Sequence, residues 1–214
     1  FLGAAYMQVP VAITVEGANI LTRSLIVFGQ GAIRCHPYVL KEMHAAREPD
    51  RARASLAFDA ALTGHLRFAL TSFARTFVMG LTGSHFVGVP ANIAPRTRRY
   101  YQQLTRFSSA LAFVADVSMG TLGGALKRKE KLSARLGDIL SLLYLSSAAL
   151  KQFEAQGRHS ADEPLLHWAM WDAMFKAQNA FEGVLSNFPN RFVAVVLRRI
   201  VFPLGRPYFI PSDD

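Results

Sequence analysis

The chain has little of what disulfide-stapled or metal-binding domains require. Its 214 residues include one cysteine, Cys35, so an internal disulfide is excluded. The side chains of adjacent Cys35 and His36 point in different directions, and no CxxC or HxxxH spacing occurs. We therefore expect no metal site, and we expect Cys35 to be a buried, inert thiol. The GxSxG sequence of serine hydrolases is also absent.

Acidic residues are scarce as well. Lys and Arg total 24 against 15 Asp and Glu, which gives a net charge of +9 and favours anionic partners. Basic clusters of this kind attract nucleic acid or anionic lipid, or they are solvated helix ends. We expect no nucleic-acid partner. The clusters are Arg96, Arg98 and Arg99, then Lys127, Arg128, Lys129 and Lys131, then Arg198, Arg199 and Arg206.

Only one hydrophobic run approaches the length of a membrane span, about 20 residues. This run, residues 108–126, contains Asp116 and three glycines near its end, Gly120, Gly123 and Gly124. The composition favours a buried helix pressed closely against another helix over one facing lipid. Gly29-Gln30-Gly31 likewise suits helix packing better than a phosphate loop, because no strand precedes it.

Apolar residues recur at spacings of three and four through most of the chain, which predicts an all-α fold. An alternating pattern typical of a strand occurs only from Tyr6 to Val15. Gly, Pro and Asn residues separate the periodic segments. The predicted helices run from Asp50 to Met79, Thr97 to Gly120, Ser133 to Ala155, Asp162 to Asn187 and Arg191 to Val201.

One carboxylate, Glu16, lies in an apolar run directly before a predicted helix with Asn19 as its N-cap. Desolvation would raise the pKa of Glu16 toward neutral pH, as a general base requires. Gly17 would let another molecule approach the backbone closely. The residues alone leave two interpretations open: a catalytic base, or a partly exposed glutamate before a helix.

The phrase Glu16-Gly17-Ala18-Asn19-Ile20-Leu21-Thr22-Arg23 resembles the Glu-Gly-Thr-Asn-x-Ile-Gln-Arg signature of the acyl-CoA dehydrogenases. Longer phrases resemble the bacterial long-chain members of the FadE type, including their C-terminal helical extension. These phrases are TVEGANILTRSLIVFGQGAIRCHPYV, GGALKRKEKLSARLGDILSLLYL and LSNFPNRFVAVVLRRIVFPLGRPY.

The resemblance implies an FAD-dependent enzyme of fatty acid β-oxidation that converts a long-chain fatty acyl-CoA to the trans-2-enoyl-CoA. Glu16 matches the catalytic base, Gly17 a substrate contact, and Ala18, Asn19 and Ile20 the flavin contacts. The implied partners are an electron-transfer acceptor protein and further copies of the chain in a homo-oligomer. The implied location is the cytoplasm, with the protein bound peripherally at the inner face of the bacterial plasma membrane.

The same resemblance divides the chain into residues 1–47, the end of the dehydrogenase's C-terminal helical domain, and residues 48–214, a helical-bundle extension. We interpret the chain as a fragment that is inactive alone, since the rest of the flavin and CoA sites would lie upstream. The alternative function is a non-catalytic helical interaction or membrane-surface module. Membrane contact would use Arg198 and Arg199 beside the apolar run Val193 to Leu197.

Overall fold

In the computed structural model, which describes residues 3–4, 6–11 and 28–212, the ordered elements are helices and no strand occurs. The all-α prediction is confirmed for these residues. The alternation that begins at Tyr6 does not produce a strand, because residues 6–11 are helical. Apolar alternation over so few residues does not distinguish a strand from a helix.

The five long predicted helices are present, with ends within three residues of the predicted ones. Two short helices lie between residue 30 and the first of these, and 3-10 turns lie at Pro95–Thr97 and Gly123–Arg128. From residue 31 to residue 212, the helices are α1 (Gly31–Arg34), α2 (Val39–Ala45), α3 (Arg51–Leu81), α4 (Arg98–Leu122), α5 (Glu130–Ala155), α6 (Glu163–Ser186) and α7 (Arg191–Val201).

Side-chain caps fix the starts of two helices. The Asp50 carboxylate accepts hydrogen bonds from the backbone N–H groups of Ala52 and Arg53 at the start of α3. The Asn190 side chain does the same for the first turn of α7. Each cap satisfies N–H groups that have no partner within the helix, typically stabilising it by about 1 kcal/mol.

The four long helices α3 to α6 form an antiparallel bundle. The end of α3 lies beside the start of α4, where Arg99 donates to the Gly83 carbonyl at 2.8 Å. The end of α5 lies beside the start of α4, where the Glu154 carboxylate accepts from the Thr97 hydroxyl at 3.0 Å. Helix α7 contacts both α3 and α6 and so closes the bundle.

The core lies between α4, α5, α6 and α7. Its largest fully buried apolar side chains come from the inward faces of amphipathic helices, except for Phe188, which lies just after α6. Burying a side chain of this size typically contributes about 1.5–3 kcal/mol. The largest are Phe107, Leu136, Ile139, Leu150, Met170, Met174, Phe181, Leu185, Phe188 and Leu197. The polar side chains of Gln102 and Gln178 are equally buried.

One helical stretch, Pro95–Arg128, is long and apolar enough to cross a membrane by length and composition. It nevertheless carries buried polar side chains that find partners inside the protein. Arg106 donates to the carbonyl of Val201 at the end of α7, and Asp116 contacts a histidine on α3. These partners support the prediction of a helix packed against other helices rather than against lipid.

The three glycines in this stretch do not mediate that packing, so the expectation of close approach there was wrong. A Cβ added at Gly120, Gly123 or Gly124 would meet none of the described residues within 4 Å. Gly123 instead ends α4 with a φ of 51°, a conformation that glycine adopts at little cost. Close approaches lie at other glycines, among them Gly80 on α3, where an added Cβ would fall 2.8 Å from the Pro203 ring.

These two environments predict opposite effects for the same substitution. Gly80→Ala should destabilise the chain by about 1–3 kcal/mol, because the proline ring cannot move aside without separating α3 from the segment after α7. Gly120→Ala should be neutral or stabilising by up to about 1 kcal/mol, because alanine favours a helix and meets no neighbour here. Urea unfolding of the two variants measures the difference, and effects of equal sign would contradict this account of the packing.

Candidate functional site

The predicted catalytic and flavin-contact residues, Glu16 and Gly17 with Ala18, Asn19 and Ile20, lie outside the described residues. The structure resumes at Phe28. Residues 28–30 form a π-helical turn that leads directly into α1. Gly29-Gln30-Gly31 is therefore helical, which agrees with the helix interpretation of this sequence and not with a phosphate loop.

The segment after the predicted catalytic motif packs against the extension. Phe28 is 4% exposed and belongs to the same hydrophobic core as α4 to α7. A small apolar cavity of about 240 Å³ lies between Ala32 and Ile33 on one side and Met119 and Leu126 on the other. Residues on both sides of the predicted boundary at 47/48 thus share one core.

Cys35, at the C-terminal end of α1, is exposed, so its predicted burial was wrong. Helix α1 is only four residues long and has no buried residue. The sequence prediction rested on the absence of metal-ligand spacing around Cys35, which does not specify whether the thiol is buried. His36, the next residue, has a side chain only 8% exposed.

A cluster of two histidines and two carboxylates lies where the turn before α2, α2, α3 and α4 meet. His65 is at its centre. Its Nδ1 lies 2.7 Å from Glu42 Oε1, and its Nε2 lies 2.8 Å from Asp116 Oδ1. His36 Nε2 lies 3.7 Å from the same oxygen of Asp116. We call His36, Glu42, His65 and Asp116 the histidine–carboxylate cluster.

The two histidines have different surroundings and opposite pKa shifts. Burial lowers the pKa of His36, although Asp116 opposes this effect. Burial would also lower the pKa of His65, but its hydrogen bonds to Asp116 and Glu42 outweigh burial and raise the pKa above the ordinary 6.5. The arrangement favours a neutral His36 beside a protonated His65.

The cluster has the composition of a metal site, since ligand atoms of His36, His65 and Asp116 all lie within 4.8 Å of one another. The hydrogen bonds of His36 oppose metal binding. Its Nδ1 accepts from the backbone N–H groups of Tyr38 and Val39, so in the neutral ring the proton must be on Nε2. A metal-bound histidine usually donates a hydrogen bond from its other nitrogen. The geometry therefore suits protonation of this cluster better than binding of a metal ion.

Sequence analysis missed this cluster, although it noted two of its members. Asp116 was considered only as evidence against a membrane span, and His36 only as a neighbour of Cys35. A lone carboxylate in an apolar helix does signal a buried partner, because an unpaired buried charge is very costly. Identifying His65 as that partner requires the pairing of α3 with α4.

Two of the basic clusters each contain an arginine that forms an ion pair within the protein. Arg96 pairs with Glu163 at 2.7 Å, and Arg198 pairs with Glu182 at 2.6 Å. In α7, Ala194 and Leu197 face the core. The predicted membrane-contact run thus contributes partly to internal packing.

The comparison with family models matches residues 33–214 to the bacterial-type C-terminal domain of acyl-CoA dehydrogenases. No solved structure matches the chain. The family is one of oxidoreductases that generally use FAD. Since the match covers most of the chain, we conclude that the chain belongs to the acyl-CoA dehydrogenase family and carries its bacterial-type C-terminal domain.

Proposed function

We propose that this chain is the C-terminal part of a flavin-dependent enzyme that dehydrogenates long-chain fatty acyl-CoA to trans-2-enoyl-CoA in fatty acid β-oxidation, with Glu16 as its base. The family match carries the proposal, because the matched domain begins 17 residues after Glu16. The proposed partners are an electron-transfer acceptor protein and further copies of the chain, and the proposed location is the cytoplasm.

The proposed chemistry divides between the chain and its cofactor. Glu16 would remove a proton from the carbon next to the thioester carbonyl, and its own backbone N–H would stabilise the negative charge that develops on the carbonyl oxygen. FAD, when bound, would accept a hydride from the adjacent carbon. Gly17 would leave space for the thioester, and Ala18, Asn19 and Ile20 would contact the flavin.

The packing of the extension supports this arrangement. Phe28 and the residues of α1 and α2 follow the Glu16 motif directly, and they lie against α3, α4 and the 3-10 turn after α4. We infer that the extension holds the chain that leads out of the active site. This role requires no catalytic residue after residue 47.

Replacing Glu16 with Gln in the complete enzyme should reduce turnover by a factor on the order of 10² or more, because the amide keeps the shape but is not basic. Flavin absorbance should show that the cofactor remains bound. The measurement is anaerobic bleaching of the flavin by a long-chain acyl-CoA. Glu48→Gln, at an exposed position, serves as the matched control. Bleaching of the Glu16 variant at the unmutated rate would show that another group is the base.

Replacing Gly17 with Val should impair acyl-CoA binding more than folding, because a branched side chain would occupy the space beside the thioester. Thermal unfolding and acyl-CoA titration of the same variant separate the two effects. Gly88→Val is the control, since an added Cβ there meets none of the described residues within 4 Å. A large loss of stability with unchanged acyl-CoA affinity would instead identify Gly17 as a structural glycine.

A second candidate function, attachment to an anionic membrane surface, is favoured by the outer face of α3. Large apolar side chains recur there at spacings of three and four over 24 positions, a length of roughly 35 Å. Exposed Arg67 and Arg75 lie on the same helix. Apolar surface combined with positive charge suits the interface of an anionic bilayer. The side chains are Phe58, Leu62, Leu66, Leu70, Phe73, Phe77 and Leu81.

Co-sedimentation of the complete protein with anionic vesicles should therefore weaken as salt shortens the Debye length from about 10 Å at 0.1 M to about 3 Å at 1 M. The double variant Leu66→Ser, Leu70→Ser should lose binding, because both side chains are more than half exposed on the proposed contact face. Leu165→Ser, equally exposed but on α6, should retain it. Equal, salt-independent binding to anionic and neutral vesicles, or no binding to either, would remove the membrane role.

A further inference from the structure

We propose that the histidine–carboxylate cluster is a proton-dependent clamp that fastens α2 to α3 and α4 while His65 is protonated and releases α2 when His65 loses its proton. The inference does not depend on the catalytic role of Glu16. It rests on how the hydrogen bonds of four side chains from separate parts of the chain are arranged.

The two bonds of His65 require two protons on its ring. Glu42 and Asp116 each present a carboxylate oxygen within 2.8 Å of a different ring nitrogen. A neutral histidine carries one N–H and one lone pair, so it can donate to only one of them. Loss of a proton would place a nitrogen lone pair against a carboxylate oxygen at hydrogen-bonding distance. One of the two links, to α2 or to α4, would then become repulsive.

The link from His65 to Glu42 is the one that holds α2. Glu42 lies in the middle of this seven-residue helix, whose only buried residue is Ala45. A helix this short has little stability of its own and depends on its tertiary contacts. The Tyr38 ring, at the N-cap of α2, adds a second contact by lying parallel to the His65 ring at 6.1 Å.

The hydrogen bonds of His36, the second histidine of the cluster, explain why the proton is on His65. His36 Nδ1 caps the first turn of α2 by accepting from the Tyr38 and Val39 N–H groups, so this nitrogen is not free to take a proton. His36 Nε2 is buried, has no hydrogen-bond partner among the described residues, and lies 3.7 Å from Asp116 Oδ1. Protonating His36 would break the cap, whereas protonating His65 completes two hydrogen bonds.

The charged groups around His65 fix the direction of the pH effect. In the part of the chain that the structure describes, those interacting with it are Glu42 on α2 and Asp116 on α4, with His36 beside it in the preceding turn. The raised pKa of His65 means that the folded state binds its proton more tightly than the unfolded state does. Its contribution is complete below 6.5 and is lost as pH rises through the raised pKa.

His36 sets a limit on the acid side. Because burial lowers its pKa below 6.5, the unfolded chain takes up a proton there before the folded chain does. Stability from this group falls as pH falls below 6.5. The clamp should therefore hold best in a window near neutral pH, bounded above by His65 and below by His36.

Amide hydrogen exchange of the complete protein between pH 6.5 and pH 9, corrected for the intrinsic pH dependence, tests the clamp. We expect residues 39–45 to lose protection as pH rises, by about tenfold for each unit of pKa shift, while α6 keeps its protection. His65→Gln should abolish this pH dependence. Glu42→Gln, which keeps the shape but removes the negative charge that raises the pKa of His65, should move the loss of protection to lower pH.

His167→Gln is the matched control, because His167 is also hydrogen-bonded, to the Tyr100 hydroxyl at 2.7 Å, but lies away from the cluster. It should retain the pH dependence of α2. Protection of α2 that does not change with pH, or that changes equally in His65→Gln, would overturn the proposal. An equal loss in α6 would indicate global unfolding and would also overturn it. So would stoichiometric protection by Zn²⁺ alone that is lost in His36→Gln, because the cluster would then be a metal site.

Discussion

The burial of Asp116 is the constraint on which the arrangement of the N-terminal helices depends. This carboxylate is 8% exposed in the middle of an apolar helix, where an unpaired charge would be very costly. His65 supplies the compensating positive charge from α3. Because His65 also reaches Glu42, compensation of one buried charge fixes the position of three helices relative to one another.

This constraint links two parts of the molecule that come from different segments of the chain. Residues 28–45 follow the motif that resembles the dehydrogenase base, whereas α3 to α7 form the bundle. The two parts are joined by apolar contacts around Phe28 and by the polar cluster. Apolar contacts hold at any pH, but the cluster depends on protonation. The strength of the joint between the proposed active-site segment and the extension should therefore depend in part on pH.

The sequence predicted the helices well because their signals are local. The apolar repeats that begin at Arg191 and at Asp50 predicted α7 and α3. The exposure of Cys35 and the open space around Gly120 depend on where the neighbouring helices lie, which periodicity does not specify. The histidine–carboxylate cluster joins residues 36 to 116, and only the folded bundle brings its members together. The proposed role of Glu16 depends on resemblance and remains a prediction.

The proposed function depends on Glu16 acting as the base of an acyl-CoA dehydrogenase whose C-terminal domain is this bundle. The most direct measurement is a crystal structure of the complete enzyme with a bound, non-reacting long-chain acyl-CoA analogue. The Glu16 carboxylate should lie about 3–3.5 Å from the carbon next to the thioester carbonyl, because a base must reach the proton that it removes. A different carboxylate at that carbon, with Glu16 directed toward solvent, would contradict the account.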